Sequence, residues 1–251
     1  MPRVFIIHKN GRPASKTFDD AFEGFTDRNY EVIPFEASQV YSLKSTKEDV
    51  HCAGIAFMGI LWKELGIKPP PLINIPPELL PYAKRKIWQE PFNDVLKRFL
   101  TGAPPPVFIK PAKTEKLFTG LVVNSLRDLL YVKDIAEDTT VECQEVIDIV
   151  VEYRCYCNFY KTMIDCNRYG DGDFRVFPDL SVVDNIIKDF QNPPVAYSVD
   201  VGVLKTGETV LIEINDSYCL GSYGINAISY SKMLSNRWME IACIPQNIEY
   251  T

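Results

Sequence analysis

The stretch SVDVGVLKTGETVLIEINDSYCLGSYG, residues 198–224, contains the pattern that decides the fold. Two apolar runs, residues 195–204 and 209–214, flank the sequence KTGE, whose glycine and polar residues are typical of a tight turn. The pattern therefore predicts a β-hairpin. Polar side chains interrupt both runs at positions where a core strand would be apolar, so the hairpin is also the first candidate for a functional site.

Three oxygen-bearing side chains of this hairpin are candidate metal ligands. Asp200 interrupts the first run, and Glu213 and Asn215 lie two positions apart in the second, so the latter two share one face of their strand. Carboxylates within apolar strands are costly to bury without a cation, and hard oxygen ligands suit a magnesium ion that phosphates also bind. The alternative is an exposed strand edge whose acids are merely solvated.

A lysine-rich segment, PVFIKPAKTEKLFTG at residues 106–120, predicts a strand that ends at Lys110 and a loop that contains Lys116. A lysine at the end of a rigid strand can reach a bound anion, and the loop can fold over phosphates with backbone and side-chain donors. Taken singly, Lys110 has the alternative of an ordinary surface lysine. Neither the GxxxxGK[ST] loop nor the GxGxxG fingerprint occurs anywhere in the chain.

A third segment, VECQEVIDIVVEYRCYC at residues 141–157, combines strand propensity with charged residues. Gln144, Glu145 and Asp148 interrupt the apolar run where a chain crossing between two lobes would expose backbone groups. Arg154 lies two positions after Glu152 on the same predicted strand face, and an arginine there can clamp a phosphate or a carboxylate with two hydrogen bonds. The alternative is that Glu152 and Arg154 form ordinary ion pairs with neighbouring strands.

The N-terminal third of the chain predicts a small α/β unit. Residues 4–35 show the order strand, helix, strand, and a second helix over residues 53–65 would end at Gly66. Residues 69–81 are rich in proline and read as a linker. The predicted domains are therefore residues 1–75, a small α/β domain, and residues 76–251.

Strands dominate the predicted larger domain, and helices are interspersed rather than strictly alternating, which favours α+β packing. Besides the hairpin, the predicted elements are a helix at residues 82–100 interrupted near Pro91, strands at 107–109 and 121–123, a short helix at 125–131, strand regions at 141–151 and 152–160, and a final helix at 227–243.

The composition indicates a soluble, cytoplasmic protein. The 251 residues carry a net charge of −6, which argues against duplex nucleic acid and anionic membranes as partners. No run approaches the roughly 20 apolar residues that a membrane helix needs, and the start MPRVFIIHKNGRPASK resembles neither a signal peptide nor an anchor. Seven cysteines without CxxC spacing argue against a disulfide framework or a zinc knuckle, so most are interpreted as small buried hydrophobic residues.

Taken in order, the lysine strand and loop, QEVIDI, EYR, DVGV and LIEIND resemble the ATP-grasp superfamily over roughly residues 82–235. The chain is most similar to a clade of small ATP-grasp proteins that is found largely in phages and large viruses and is named for an arginine and two lysines. The resemblance implies an α+β fold in which two subdomains grip ATP, preceded by a small α/β domain. For a viral protein, the expected location is the host cytoplasm.

The resemblance also implies roles for individual residues. Arg154 would stabilise the transferring phosphoryl group, Lys116 would belong to the loop over the phosphates, and one or two magnesium ions would be held by Asp200, Glu213 and Asn215. The implied nucleotide-binding residues are Lys86, Lys110, Lys116, Gln144, Glu145, Val146, Ile147 and Asp148. For the lysine that precedes the central domain, the choice between Lys84 and Lys86 stays open, with Arg85 as a competitor. The loop sequence KTEKLFTG departs from the family because it lacks the usual glycines and serine.

The activity that the resemblance implies is ATP-dependent ligation of a carboxylate to an amine or thiol through an acylphosphate, on a peptide, protein or amino-acid-like substrate. A phosphotransferase on the same fold and a non-catalytic ATP-binding regulator are the alternatives. A polar segment at residues 167–173, and residues 215–218 with Tyr223, are candidates for the acceptor site, against the alternative of ordinary surface loops. His8 and His51 lie outside the ATP-binding segments and are interpreted as structural or surface residues.

Overall fold

The computed structural model describes residues 1–113, 117–132 and 134–244. The chain forms two compact units: residues 1–80 together with the chain from residue 150 onward, and residues 81–149. The N-terminal segment thus shares a unit with the C-terminal third. The predicted division into a small α/β domain at residues 1–75 and a larger domain at residues 76–251 stays a prediction.

The N-terminal segment forms a small sheet with two helices, as the sequence predicts. Its elements are β1 (Arg3–Lys9), β2 (Arg12–Pro13), α1 (Lys16–Asp27), β3 (Glu31–Glu36), β4 (Val50–Cys52) and α2 (Ile55–Leu65). Strand β1 pairs in parallel with β3 and β4 and antiparallel with β2. Helix α2 ends at Gly66, whose φ of 62° is left-handed and favours glycine. The predicted linker contains only a 3₁₀ turn (Pro77–Leu79) before α3 (Leu80–Ala83).

The smaller unit is one antiparallel sheet covered by a helix. Its elements are β5 (Ile87–Pro91), α4 (Phe92–Thr101), β6 (Val107–Pro111), β7 (Leu121–Val123), a 3₁₀ helix (Asp128–Val132) and β8 (Thr140–Glu145), with strand order β5-β8-β6-β7. The apolar spacing of residues 82–100 fits a helix poorly before Pro91 and better after it. Helix α4 confirms the later part, whereas residues 87–91 pair with β8 instead. Phe92, Val95 and Phe99 of α4 are buried against the sheet.

The C-terminal segment contains the predicted hairpin at the edge of a third sheet. Its elements are β9 (Ile149–Asn158), β10 (Thr162–Tyr169), α5 (Leu180–Asp189), β11 (Ala196–Leu204), β12 (Thr209–Asp216) and α6 (Ala227–Ile241), with strand order β10-β9-β11-β12. The hairpin β11–β12 is confirmed. The boundary predicted at residue 151 is wrong, since the strand ends at Glu145 and resumes at Ile149. The segment at residues 167–173 is a loop only in part, because Asn167 and Tyr169 belong to β10.

One cysteine pair corrects the interpretation of the cysteines. Cys155 of β9 and Cys166 of β10 are cross-strand partners and form a disulfide. The sequence did not indicate it because β10 was not predicted as a strand. Of the helices in the described part of the chain, none has the length and apolar character needed to cross a bilayer.

A close approach of two helices makes Gly24 a sensitive position. A Cβ atom built on Gly24 of α1 would lie 1.9 Å from the backbone oxygen of Ala227 in α6, whereas one built on Gly59 of α2 would meet nothing within 4 Å. We expect Gly59→Ala to raise the free energy of unfolding by about 0.5 to 1 kcal/mol through helix propensity. The same change at Gly24 should lower it by about 1 to 3 kcal/mol through overpacking. Urea denaturation of both variants tests this, and equal effects would contradict it.

A second prediction concerns a buried histidine. The ring of His51 stacks on Phe5, with centroids 5.2 Å apart, and lies 4.6 Å from the ring of Trp238. Within the described residues neither ring nitrogen has a hydrogen-bond partner. Burial lowers the pKa of His51 from 6.5 to about 4, against a smaller opposing effect of Asp49. His51 is therefore neutral in the folded protein near pH 7.

As the pH falls from 6.5 towards 4, the unfolded chain gains a proton at His51 and the folded chain does not. The free energy of unfolding should therefore decrease over this range by up to about 3 kcal/mol from this group. The measurement is urea denaturation at pH 7, 5.5 and 4.5 of the wild type beside His51→Phe, which keeps an aromatic ring. The difference between the two slopes isolates His51 from the carboxylates, and parallel slopes would rule out the effect.

Candidate active site

One face of the sheet β10-β9-β11-β12 carries the charged residues. The strand register places Asp200 opposite Glu213 and Ser198 opposite Asn215. On the neighbouring strand β9, Glu152, Arg154 and Tyr156 lie two positions apart and therefore share one face. The other face is apolar and is covered by α5, whose Val183, Ile186 and Ile187 are buried. The three predicted metal ligands and Arg154 therefore come together on one face.

Arg154 and Asp200 form a buried ion pair at the centre of this face. Nε and Nη2 of Arg154 donate to Oδ1 and Oδ2 of Asp200 at 2.8 and 2.6 Å. Asp200 also accepts hydrogen bonds from Ser198 Oγ at 3.0 Å and Asn215 Nδ2 at 3.0 Å, and it has no exposed surface. Four donors thus converge on one carboxylate.

The two partners affect each other's protonation. Burial raises the pKa of Asp200 above its ordinary value, and the hydrogen bonds and charge of Arg154 act in the opposite direction. Burial is the largest single influence on the pKa of Arg154 and lowers it, but the hydrogen bonds to Asp200 and the charge of Asp200 together raise that pKa above its ordinary value. Because the guanidinium stays charged and donates two bonds, Asp200 is held as a carboxylate.

The donor set of this face fits magnesium. Asn215 Nδ2 donates to Glu213 Oε1 at 2.9 Å and to Asp200 Oδ2 at 3.0 Å, so the amide bridges the two carboxylates. Rotation of this amide about its Cβ–Cγ bond would turn its oxygen towards the position that its nitrogen now occupies. Across the described ranges, no three His, Cys, Asp or Glu side chains cluster closely enough to hold a metal alone. Magnesium commonly takes only one or two carboxylates from the protein and completes its shell with water and phosphates. The pair of carboxylates and the amide oxygen match this mode of binding.

Two tyrosines cover Arg154. The guanidinium carbon lies 5.0 Å from the ring centroid of Tyr223 and 5.3 Å from that of Tyr169, and the two rings stack at 5.2 Å. Burial, followed by the charge of Asp200 and a hydrogen bond with Glu152, raises the pKa of the Tyr169 phenol, which therefore stays neutral. Both tyrosines belong to the predicted acceptor segments, and here they lie beside the arginine.

Other residues of those segments point elsewhere. Asp216 forms a bidentate ion pair with Arg237 of α6 at 2.8 and 2.5 Å. Ser217 is buried, and the Tyr218 ring packs edge-on against Trp62. Asp173 pairs with Arg175 at 2.7 Å on the surface. Of the acceptor candidates at residues 215–218 and Tyr223, only Asn215 and Tyr223 lie at the polar face.

In the smaller unit, a chain of polar contacts surrounds Lys110. Lys110 Nζ lies 3.5 Å from Glu142 Oε1, and Gln144 Nε2 donates to the same oxygen at 2.7 Å. Arg85 Nε donates to Gln144 Oε1 at 2.8 Å. Glu142 and Gln144 are two apart on β8, and the register places Lys110 opposite Glu142. The sheet therefore has one polar face, while α4 covers its apolar face.

The remaining nucleotide-binding candidates lie at the edge of this unit. Lys86 pairs with Glu145 through both backbone and side chain: Lys86 N donates to Glu145 Oε2 at 2.8 Å, and Glu145 N donates to Lys86 O at 3.0 Å. The Lys86 ammonium lies 5.4 Å from the Trp88 ring, whereas Arg85 joins the network of Lys110. Glu145, Val146 and Asp148 are exposed. Lys116 lies outside the described residues.

Several solved structures share the fold of this chain. N5-carboxyaminoimidazole synthetase from Staphylococcus aureus superimposes with a TM-score of 0.55 at 9% identity over 98% of this chain and 78% of that one. D-alanine–D-alanine ligase from Bacillus anthracis gives 0.53 at 13% identity, covering 97% and 99% of the two chains. D-cycloserine synthetase gives 0.52 at 13%, covering 94% and 99%. Identities this low show the fold alone.

The particular family follows from the sequence itself. Residues 82–233 match the ATP-grasp domain of family 2 in the clade that is named for one arginine and two lysines. The match covers more than half of the chain, so the chain belongs to this family, as its resemblance predicted. No curated protein matches the chain.

Proposed function

We propose that the protein is a magnesium- and ATP-dependent ligase that joins a carboxylate to an amine or another nucleophile through an acylphosphate. The observation that carries this proposal is the single sheet face on which Arg154 and Asp200 adjoin Glu213 and Asn215, in a chain of this ATP-grasp clade. A protein that only bound adenosine would not need this combination of buried arginine and oxygen donors.

The proposed reaction has two steps. A carboxylate oxygen of the substrate attacks the γ-phosphorus of ATP, the bond from that phosphorus to the β,γ-bridging oxygen breaks, and ADP leaves. The amine nitrogen of the acceptor then attacks the carbonyl carbon, phosphate leaves, and the nitrogen loses a proton. Neither step needs a nucleophile from the protein, so catalysis rests on positioning and on charge already in place.

In the larger unit, Arg154 is proposed to stabilise the charge of the transferring phosphoryl group. Its bonds to Asp200 involve Nε and Nη2, so Nη1 is the nitrogen that remains for a phosphoryl oxygen. Glu213 and the carbonyl oxygen of Asn215 are the proposed direct magnesium ligands, with Asp200 completing the anionic site behind them. Magnesium, when bound, would neutralise phosphate charge.

In the smaller unit, the nucleotide-binding proposal centres on the polar face around Lys110. The Glu142 carboxylate holds the ammonium of Lys110 at the end of β6, which restricts the lysine to a narrow range of positions. The exposed chain at residues 145–148 offers backbone groups for adenine and the Asp148 carboxylate for ribose. The other proposed contacts are Lys86, Lys116 and Gln144.

Calorimetric titration with a non-hydrolysable ATP analogue, with and without magnesium, tests the site. Lys110→Ala and Glu213→Ala should each lower the affinity at least tenfold, because each removes a charged contact of about 1.5 to 3 kcal/mol. The loss in Glu213→Ala should largely vanish when magnesium is omitted. Lys205→Ala and Glu208→Ala, in the turn of the same hairpin, are matched controls and should bind like the wild type.

Binding by wild type and controls but not by the two site variants would justify a screen of carboxylates and amines by phosphate release. A product that keeps the phosphate would indicate a phosphotransferase instead of a ligase. If the wild type fails to bind, or if the site variants bind as well as the controls, the proposed site is incorrect.

A further inference from the structure

The loop that follows β12 holds Tyr223 in an unusual conformation. Tyr223 has a φ of 37°, in the left-handed region that side-chain-bearing residues rarely adopt, and its side chain is about half exposed. In this conformation its ring stacks on Tyr169 with an interplanar angle of 28° and lies 5.0 Å from the guanidinium carbon of Arg154. Because a strained backbone places the Tyr223 ring against Arg154, we expect this contact to have a function.

The loop residues that precede Tyr223 are fixed by buried hydroxyl groups. The Tyr156 hydroxyl shares its one proton between the backbone oxygens of Gly221 and Ser222, at 3.0 and 2.6 Å. The Tyr230 hydroxyl donates to Leu220 O at 2.5 Å. The Ser222 hydroxyl in turn donates to Asp20 of α1 at 2.6 Å. These bonds hold the backbone on which the Tyr223 ring depends.

Glycine is needed at position 221 because the Tyr223 ring lies against it, and not because of the backbone conformation of Gly221. A Cβ atom at Gly221 would lie 2.7 Å from Cε2 and 3.0 Å from Cζ of Tyr223. The φ of Gly221 is not positive, so alanine fits its backbone conformation. Substitution by alanine at Gly221 therefore displaces the ring of Tyr223 specifically.

We propose that Tyr223, with Tyr169, is a positioning residue for Arg154. The two hydrogen bonds to Asp200 fix the guanidinium within the plane that it shares with the carboxylate. The rings of Tyr169 and Tyr223 prevent the guanidinium from tilting out of this plane and exclude water from it. A guanidinium that is held in place and shielded from water stabilises the negative charge that develops during phosphoryl transfer more strongly than a mobile, hydrated guanidinium does. This inference rests on the proposed function, in which Arg154 contacts the transferring phosphoryl group.

The test compares two nucleotide complexes. ADP with magnesium and aluminium fluoride mimics the transferring phosphoryl group, whereas the non-hydrolysable ATP analogue mimics the ground state. We expect Tyr223→Ala to weaken binding of the aluminium fluoride complex about tenfold, the range of a desolvated cation–ring contact. Its affinity for the ATP analogue should change less than twofold. Tyr223→Phe keeps the ring and should restore wild-type binding of both.

A double-mutant cycle identifies the mechanism. Gly221→Ala should reproduce the tenfold loss by displacing the ring, and it should cause no further loss in the Tyr223→Ala background, where no ring is left to displace. Additive losses in the double variant would show that Gly221 acts independently of Tyr223, and would overturn the positioning role.

The outcomes separate the inference from the function on which it rests. A wild type that binds neither complex overturns the proposed function and the inference with it. A wild type that binds both, with Tyr223→Ala weakening both equally or neither, overturns the positioning role alone, because a merely structural residue does not distinguish the two complexes.

Discussion

Replacement of Asp200 by alanine should lower the free energy of unfolding by about 3 to 5 kcal/mol, the usual consequence of leaving one member of a buried ion pair alone. Arg154 is 8% exposed, and both of its hydrogen bonds to a carboxylate go to Asp200. The variant would leave the buried guanidinium without the carboxylate with which it pairs. Urea denaturation followed by circular dichroism measures the loss.

Two further variants show whether the charge is the cause. Ser198→Ala removes one neutral donor to the same carboxylate and should cost only about 1 kcal/mol. A double variant with Arg154→Met and Asp200→Leu removes both charges, and should recover most of the stability that Asp200→Ala loses. The prediction is wrong if the free energy of unfolding of Asp200→Ala lies within about 1 kcal/mol of the wild-type value, or if the double variant is less stable than Asp200→Ala. Either result would show that an unpaired charge at this position costs little stability.

The hairpin could be predicted from the sequence because its signals are local. The turn sequence KTGE and the apolar runs on either side of it define β11 and β12 within about 20 residues. The alternation of the strand also places Glu213 and Asn215 on one face without any knowledge of other strands. The partner of Asp200 could not be predicted in this way, because Arg154 lies 46 positions earlier and reaches it only through sheet pairing.

Strand β10 was missed for a physical reason. Its register against β9 shifts between Met163 and Asp165, so its alternation of apolar and polar residues is out of phase on the two sides of the irregularity. Helix α5 was also not predicted, although its sequence contains local signals of a helix. Asp179 caps it by accepting a hydrogen bond from Ser181 N, and the apolar residues that follow recur at helical spacing.

Replacement of Arg237 by alanine should also cost about 3 to 5 kcal/mol, but without affecting nucleotide binding. Arg237 is 8% exposed and joins two acids, with bidentate bonds to Asp216 and a 2.5 Å contact with Glu240. Its loss leaves Asp216 buried without a cation. Burial already raises the pKa of Asp216, and removal of Arg237 would raise it further, so the destabilisation should decrease as the pH falls and the carboxyl group takes up a proton.

The two buried pairs thus provide a test of what the site requires. Arg237→Lys keeps a positive charge beside Asp216 and should recover part of the lost stability, since lysine cannot reproduce the bidentate geometry. Measured on the folded fraction, Arg237→Ala should bind the aluminium fluoride complex within twofold of the wild type, whereas Arg154→Ala should lose affinity for that complex. Equal losses of affinity in the two variants would mean that nucleotide binding depends only on the stability of the sheet. Greater loss in Arg154→Ala would show that, of the two arginines that pair with aspartates of this hairpin, the one covered by Tyr169 and Tyr223 has a role in phosphoryl transfer.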